Sequence, residues 1–212
     1  RSFAEDGQGG VYVGVSNAVK HIDSAGVVTT VVTGGALASQ FQNGVGVDSA
    51  GRLWAMGASG LLARYNPDLS LDKQFTTLSS PTGLVTDSVG NLILLNGNSR
   101  IVRLSGVNTL PEVIGSGSFS RIAQETAQTV LVSNQTTVQR FNLATGAVTP
   151  LVSGMLNNYG AVRRTDGSIV TIDSGRNEMS FYTATGVLSD RFVGLVNPKG
   201  VLFDAGGTLL VV

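Results

Sequence analysis

Short apolar segments alternate with polar turns along the whole chain, and no long stretch shows the spacing of an amphipathic helix. The apolar segments are rich in β-branched residues and are bounded by Gly, Asn, Asp or Ser. This pattern is typical of β-strands joined by tight turns. We therefore expect an all-β protein.

The pattern repeats along the chain. Each repeat has a polar anchor, a small turn, and an apolar strand that begins five positions after the anchor, as in Asp48 followed by Leu53 and Asp87 followed by Leu92. The anchors are Asp6, Asp48, Asp87, Glu125, Arg164 and Asp204, so their spacings are 42, 39, 38, 39 and 40 residues. Such regular spacing indicates a repeat architecture.

Each repeat predicts four strands, which is the content of one blade of a β-propeller. A single blade has two apolar faces and cannot bury either alone, whereas neighbouring blades cover both. We expect one propeller domain of four-stranded antiparallel blades, six-bladed, with the last blade incomplete in this segment. The expected blades span about residues 1–43, 44–80, 81–118, 119–158, 159–197 and 198–212.

Two other architectures compete with this prediction. A right-handed β-helix or another solenoid has shorter coils, and the repeated hairpin turns argue against parallel coils. A five-bladed ring with two additional strands is the alternative for the blade number. We favour six blades because residues 209–212 have the pattern of a buried inner strand, so that the missing strands would lie outside residues 1–212.

The repeat resembles the NHL-type propeller motif, P-x-G-x-x-x-D-x-x-G-x-hydrophobic followed by a third strand like N-x-R-I. Residues 81–92 (PTGLVTDSVGNL) and 98–103 (NSRIVR) match it best, and residues 198–207 (PKGVLFDAGG) match nearly as well. The resemblance covers the entire chain but implies an architecture rather than an activity. Streptogramin B lyases and the gluconolactonase/regucalcin group are related propellers that share these motifs.

The composition excludes several classes of partner and of metal site. The 14 basic residues balance the 14 acidic ones, which argues against nucleic-acid partners and anionic membranes. There is no cysteine and one histidine, His21, so disulfides, thiolate zinc sites and multi-histidine metal sites are excluded. No apolar run approaches the about 18 residues of a membrane span. The low charge, 13% of residues, favours an extracytoplasmic protein that is periplasmic, secreted or on the cell surface. We also expect a bacterial protein.

Ligands of propellers usually bind where the loops between second and third strands meet the loops that enter the first strands. The candidate ligand contacts are therefore the polar and aromatic residues of these loops, namely Asn96, Asn98, Asn134, Asn158, Tyr159, Asp173, Arg176 and Asn177. The resemblance to gluconolactonases implies that such oxygens could hold Ca²⁺. The interpretation that we favour is that Asn and Gly form tight turns, and we expect no cofactor.

Several other side chains have two interpretations each. Arg64, Arg103 and Arg140 recur in the third strands, either as an RNA-binding stripe or, as we expect at zero net charge, paired with carboxylates. Trp54 is predicted to lie in the core, and His21 to be an exposed strand histidine. The aromatic residues that precede first strands form either a binding rim or wedges between blades; these are Phe41, Phe119 and Tyr159.

The predicted function is that of a non-catalytic NHL-like scaffold that binds a protein or glycan partner through its axial loop face. The alternative is a divalent-cation-dependent hydrolase of gluconolactonase-like type, in which the metal polarises an ester carbonyl. Resemblance to the lyases implies a need for more than one histidine near the axis. Since the chain has only His21, that activity is disfavoured.

Overall fold

A computed structural model describes residues 2–15, 17–33, 44–57, 60–75, 81–87, 89–97, 100–105, 111–203 and 207–211. The chain divides into two compact units, residues 1–117 and 118–212. The described residues form 22 strands, which pair antiparallel with their neighbours in chain order within separate sheets. Within these residues, no helix has the length and apolar character needed to cross a membrane.

The first unit holds three four-stranded blades. Blade 1 consists of β1 (Ser2–Glu5), β2 (Val11–Val15), β3 (Ala18–Ile22) and β4 (Val28–Thr33). Blade 2 consists of β5 (Gly44–Val47), β6 (Leu53–Met56), β7 (Leu62–Tyr65) and β8 (Leu71–Phe75). Blade 3 consists of β9 (Pro81–Thr86), β10 (Leu92–Asn96), β11 (Arg100–Leu104) and β12 (Glu112–Ser116).

The second unit holds two complete blades and a two-stranded sheet. Blade 4 consists of β13 (Arg121–Gln124), β14 (Thr129–Ser133), β15 (Val138–Asn142) and β16 (Val148–Val152). Blade 5 consists of β17 (Asn158–Arg163), β18 (Ile169–Asp173), β19 (Glu178–Tyr182) and β20 (Leu188–Val193). The partial blade 6 consists of β21 (Val201–Phe203) and β22 (Leu209–Val211).

The all-β propeller predicted from the repeats is confirmed, with five four-stranded antiparallel blades and an incomplete sixth. Each blade forms because its strands are joined by short turns, so that antiparallel pairing is local in the chain. The organisation of residues 1–212 as a single domain, with the blade boundaries given above, stays a prediction.

The aspartate anchors of blades 1, 2 and 3 close the turn between the first and second strands. One oxygen of Asp48 accepts the backbone N–H groups of Ala50 and Arg52, both at 3.0 Å. Asp87 repeats this arrangement with the residues two and four positions further on, at 3.0 and 2.8 Å. The turn of Asp48 needs a glycine because Gly51 has a φ of 73°, where a side chain would be strained.

The second oxygen of an anchor reaches into the sheet. In blade 1, Asp6 Oδ2 lies 2.7 Å from Nε2 of His21, whose ring packs 4.8 Å from that of Tyr12. His21 is therefore a partly buried partner of the anchor, and the expectation of an exposed strand histidine is wrong. In blade 4, Glu125 takes the anchor position and binds Arg140 through Nε, at 2.7 and 2.9 Å to its two oxygens.

The core lies between the facing sides of neighbouring blades within each unit. In the first unit, Val19 and Val32 of blade 1 join Val45, Leu53 and further residues of blade 2 in one apolar cluster. In the second unit, residues of blades 4 and 5 form the corresponding cluster, which includes Leu131, Val138, Val152, Ala161 and Ile169. Trp54 is 4% exposed, as predicted for a core residue.

First strands of neighbouring blades contact one another within each unit: β1 with β5, β5 with β9, β13 with β17, and β17 with β21. In an antiparallel blade, the start of the first strand lies beside the end of the second strand. Residues at these two places in neighbouring blades of one unit therefore share one end of the sheets. This end carries the candidate site.

Candidate functional site

The polar end of the second unit, as we call it, consists of the β14–β15 turn (134–137), the segment 153–157, the β18–β19 turn (174–177) and the segment 194–200. Backbone hydrogen bonds join these loops to each other. The N–H of Met155 donates to the carbonyl of Thr136 at 3.2 Å, and that of Ser174 donates to the carbonyl of Asn157 at 3.0 Å. The N–H of Leu195 donates to the carbonyl of Asn177 at 3.1 Å. The four loops therefore form one connected surface.

Asp173 is the best-buried carboxylate of this end, at 2% exposure. Its two oxygens accept the backbone N–H groups of Leu156 at 2.8 Å, Asn157 at 2.9 Å and Gly175 at 3.0 Å. Arg176 places Nη1 3.4 Å from Oδ2 of the same carboxylate. Since four donors surround its oxygens, Asp173 holds two loops together.

Arg176 lies between two carboxylates. Its Nη1 is 3.9 Å from Glu178 Oε1 as well as 3.4 Å from Asp173, and its Nη2 donates to the carbonyl of Gly154 at 2.7 Å. A guanidinium in this position attracts both carboxylates and offsets one of their two negative charges. Arg176 thus serves the loop structure, in the way that Asp173 does.

The amides of Asn134 and Asn158 are used in the same manner. Asn134 Oδ1 accepts the backbone N–H groups of Thr136 and Thr137, both at 2.9 Å, as in an Asx turn. Asn158 Nδ2 donates to the carbonyl of Asn134 at 3.2 Å, while its Oδ1 accepts the N–H of Gly160 at 3.0 Å. These contacts support the interpretation that the asparagines form turns.

Calcium does not fit these residues. Ca²⁺ takes six to eight oxygen ligands, whereas the oxygens of Asp173, Asn134 and Asn158 accept hydrogen bonds from the protein and Arg176 already supplies a positive charge. Among the residues that the structure describes, no group of three or more His, Cys, Asp or Glu could hold a metal ion.

The remaining predicted asparagines lie in different places. Asn177 adopts the left-handed conformation, with a φ of 53°, and its Oδ1 accepts the N–H of Asn197 at 3.0 Å. Asn96 ends β10 in the first unit, where it pairs in register with Arg100. Asn98 lies outside the described residues, as does Phe41. A role of the predicted set in ligand binding stays a prediction.

Tyr159 differs from these turn residues because its neighbours are cations. The pairing of β17 with β18 shifts between Asn158 and Gly160, so Tyr159 occupies a β-bulge. The ammonium of Lys199 lies 4.0 Å from the centroid of the tyrosine ring, and the Arg121 guanidinium carbon lies 5.3 Å from it. We call these three residues the cationic tyrosine cluster.

The charges of the cluster act on the phenol. A hydrogen bond with Lys199, and the positive charges of Lys199 and Arg121, hold the pKa of Tyr159 below its ordinary value of 10.0. Within the described part of the chain, neither Arg121 nor Lys199 has a carboxylate within 4.0 Å; Arg121 Nη1 donates to the carbonyl of Ser120 at 2.9 Å. The cluster therefore carries positive charge that these residues do not neutralise.

Sequence reasoning named Tyr159 and missed both cations. A signal was present, because Arg121, Tyr159 and Lys199 precede the anchors of their repeats by four or five residues. An alignment of the repeats at the starts of their first strands, as well as at their loops, predicts that the three side chains lie together.

The other candidates take structural positions. The third-strand arginines pair with carboxylates as predicted: Arg64 with Asp72, Arg103 with Glu112 at 3.6 Å, and Arg140 with Glu125. Arg64 also lies over the ring of Trp54, 5.2 Å from its centroid. Phe119 is buried, which makes it a packing residue and not part of an exposed aromatic rim.

No protein-family model matches this chain, and none of the curated proteins does. Solved structures do resemble it. A gluconolactonase from Xanthomonas campestris is 15% identical with a TM-score of 0.80, over 100% of this chain and 82% of the other. A catalytically inactive virginiamycin B lyase from Staphylococcus aureus, solved with quinupristin, is 16% identical with a TM-score of 0.75, over 99% and 76%.

A chain of a nidogen/laminin complex is also similar, at 17% identity with a TM-score of 0.73, over 91% of this chain and 79% of the other. At such low identity, these three likenesses establish the β-propeller fold alone.

Proposed function

We propose that the protein is a non-catalytic propeller scaffold that binds a protein or glycan partner through the polar end of its second unit, in an extracytoplasmic bacterial setting. The observation that carries this proposal is that the polar side chains at this end have two different roles. Asp173, Asn134 and Asn158 stabilise the loops, while the cationic tyrosine cluster beside them carries positive charge that the described residues do not neutralise.

Rigid loops suit a binding surface because little conformational entropy is lost when a partner docks. The carboxylate of Asp173 ties the segment 153–157 to the β18–β19 turn, and Asn177 ties that turn to the segment 194–200. One of the similar structures is a complex of nidogen and laminin, so a chain of this fold occurs in a protein–protein complex.

The alternative, a hydrolase of gluconolactonase-like type, draws on the likeness to a gluconolactonase. Such a reaction needs a cation that polarises the ester carbonyl. In this chain, a cation near Asp173 would compete with three backbone N–H groups and with Arg176. We therefore favour the scaffold.

Photo-crosslinking tests the proposed surface. A benzophenone amino acid at Gln135, an exposed residue of the β14–β15 turn, would lie at the polar end. The matched control carries the same group at Thr165, exposed in the turn at the opposite end of β17 and β18. We expect adducts with extracytoplasmic proteins or glycans from the Gln135 variant alone. Adducts from Thr165 alone would contradict the proposed surface.

An activity assay separates the scaffold from the hydrolase. We expect δ-gluconolactone to hydrolyse at its uncatalysed rate with the protein and millimolar calcium, and calcium to leave the melting temperature unchanged. Calcium-dependent hydrolysis that is lost in Asp173→Asn would favour the hydrolase instead.

A further inference from the structure

We propose that the cationic tyrosine cluster is a subsite for a carboxylate side chain, and that the partner offers it from an acidic segment of a protein. This inference rests on the proposed function, because it names the chemistry that the same surface recognises.

The charge of the cluster selects an anion. Arg121 and Lys199 stand over one aromatic ring, from the first strand of blade 4 and from the residues just before the first strand of blade 6. An ammonium and a guanidinium supply charge-assisted hydrogen bonds to carboxylates, which are about twice as strong as neutral ones. Since neither cation has a carboxylate of the described residues within 4.0 Å, a ligand carboxylate would face no competing acid from those residues at that distance.

The surrounding residues hold the cluster in place. Lys199 is exposed, but Pro198 and Gly200 on either side of it are buried, which fixes its backbone at the start of blade 6. The preceding Asn197 has a φ of 49° and donates its N–H to Asn177 Oδ1 at 3.0 Å. A backbone fixed in this way reduces the ordering that ligand binding requires.

Tyr159 is fixed from the other side. Asn158, which is 2% exposed, donates its N–H to the carbonyl of Gln135 and accepts the N–H of Gly160, so the bulge between them has a defined shape. Arg121 is half-buried and uses Nη1 to bind the carbonyl of Ser120 at 2.9 Å. Its guanidinium carries further N–H groups that can donate to a ligand.

The cluster suits a peptide carboxylate better than a glycan. Sugars bind aromatic side chains by stacking on the ring face, whereas both cations here lie over the ring of Tyr159. A polyanionic glycan needs a longer array of cations. Arg176 of the polar end does not extend the array, because it pairs with Asp173.

Binding of two synthetic peptides tests the proposal. One is a blocked peptide of alternating Glu and Gly, and the other has Gln in place of Glu. The ring signals of Tyr159 are followed by NMR in protein labelled with ¹³C-tyrosine and are assigned with Tyr159→Phe. We expect the Glu peptide to shift these signals in a saturable, salt-sensitive manner, and the Gln peptide to leave them unchanged.

Two variants test the cations, and a third controls for the loss of any positive charge. We expect Lys199→Gln and Arg121→Gln each to weaken binding of the Glu peptide about tenfold, in line with the loss of one charge-assisted contact. Lys20→Gln removes an exposed lysine of β3 in the first unit and should leave the affinity unchanged. Melting temperatures within a few degrees of the wild type would show that the variants are folded.

Three results would overturn the inference: no shift of Tyr159 with the Glu peptide, equal shifts with both peptides, or an affinity that survives both substitutions. A sulfated or uronic-acid oligosaccharide that shifts Tyr159 where the Glu peptide does not would assign the site to a glycan and reject the peptide partner. Crosslinks at Gln135 that form equally with Lys199→Gln would reject the subsite and leave the proposed binding surface standing.

Discussion

The carboxylate of Asp48 accepts the indole N–H of Trp54 at 2.9 Å. The oxygen that accepts it, Oδ2, also accepts the Nε–H of Arg52 at 2.8 Å, while Oδ1 accepts the backbone N–H groups that close the β5–β6 turn. One buried carboxylate thus fixes both the turn and the orientation of a core side chain in blade 2. Asp48 therefore has a structural role in blade 2.

Replacing this carboxylate should destabilise the protein. Asp48→Asn removes the charge that pairs with Arg52 and leaves the Trp54 N–H facing a weaker acceptor in a buried site. We expect the free energy of unfolding to fall by about 2 kcal/mol, as for a broken buried hydrogen bond to a charged group. Urea unfolding followed by tryptophan fluorescence measures this, and Trp54 is the sole tryptophan.

The control for that experiment is Asp68→Asn, which changes an exposed turn aspartate of the same blade. It should leave the unfolding midpoint nearly unchanged. Equal effects of the two substitutions would mean that the sheet contacts of Asp48 contribute little.

Acid should lower the free energy of unfolding, partly through protonation of Asp48. Burial raises the pKa of this carboxyl, but hydrogen bonds from the Trp54 side chain, the Arg52 backbone and side chain, and the Ala50 backbone outweigh it and hold the pKa below 3.8. The unfolded chain therefore binds the proton first as the pH falls. The stabilisation from Asp48 is present above the unfolded pKa and is lost as the pH falls through the folded one.

The prediction is a smaller pH dependence in the variant. Between about pH 6 and about pH 3, the free energy of unfolding of Asp48→Asn should fall less than that of the wild type. Urea midpoints at a series of pH values measure both slopes. Parallel slopes would show that other carboxyls account for the acid sensitivity.

Close packing of blades 2 and 3 depends on Gly46 of β5. A Cβ at this position would lie 2.2 Å from Cδ2 of Leu84 in β9, a buried side chain of the next blade. Gly46→Ala should therefore lower the free energy of unfolding by about 1–3 kcal/mol through overpacking.

A double-mutant cycle with Leu84→Ala checks the cause. If the added methyl group clashes with Leu84, the double variant should be at least about 0.5 kcal/mol more stable than the sum of the single effects predicts. Additive effects would place the cost of Gly46→Ala elsewhere, in the backbone of β5.

Asp173→Ala should destabilise the loops of the polar end. The change leaves three backbone N–H groups without their acceptor and Arg176 without its nearest carboxylate. We expect the free energy of unfolding to fall by about 2–4 kcal/mol, together with weaker binding of the acidic peptide. Hydrogen exchange of the Leu156, Asn157 and Gly175 amides should become faster.

Asp166→Ala is the matched control, since Asp166 lies in the exposed turn at the opposite end of β17 and β18. It should leave the exchange of those three amides unchanged. Similar exchange in both variants would contradict the role assigned to Asp173.

The blades could be predicted because their determinants are local. An anchor such as Asp87, the turn to Gly90 and the strand from Leu92 lie within a few residues, and antiparallel pairing follows directly. The ion pair of Arg140 with Glu125 was predicted only as a pairing with some neighbouring carboxylate, because charge balance does not name the partner.

The candidate site was less accessible to sequence reasoning. An asparagine that closes a turn and one that binds a ligand have the same neighbours in the chain, as Asn134 illustrates. The number of N–H groups that donate to the side-chain oxygen distinguishes a turn asparagine from a ligand-binding one, and the folded structure determines this number. For Asp173, the donors come from Leu156 and Asn157, which are distant in the sequence.

The sequence alone predicted the repeat, the strands, the incomplete sixth blade and the core position of Trp54. These features could be predicted because a repeat period and a β-hairpin depend on residues that are close together in the chain. The meeting of Lys199 with Tyr159, and of Arg121 with the same ring, came from the packing of first strands in the second unit. Each pair is about 40 residues apart in the chain. Such contacts form because each blade buries its apolar side against the next, and that packing sets which surface side chains become neighbours.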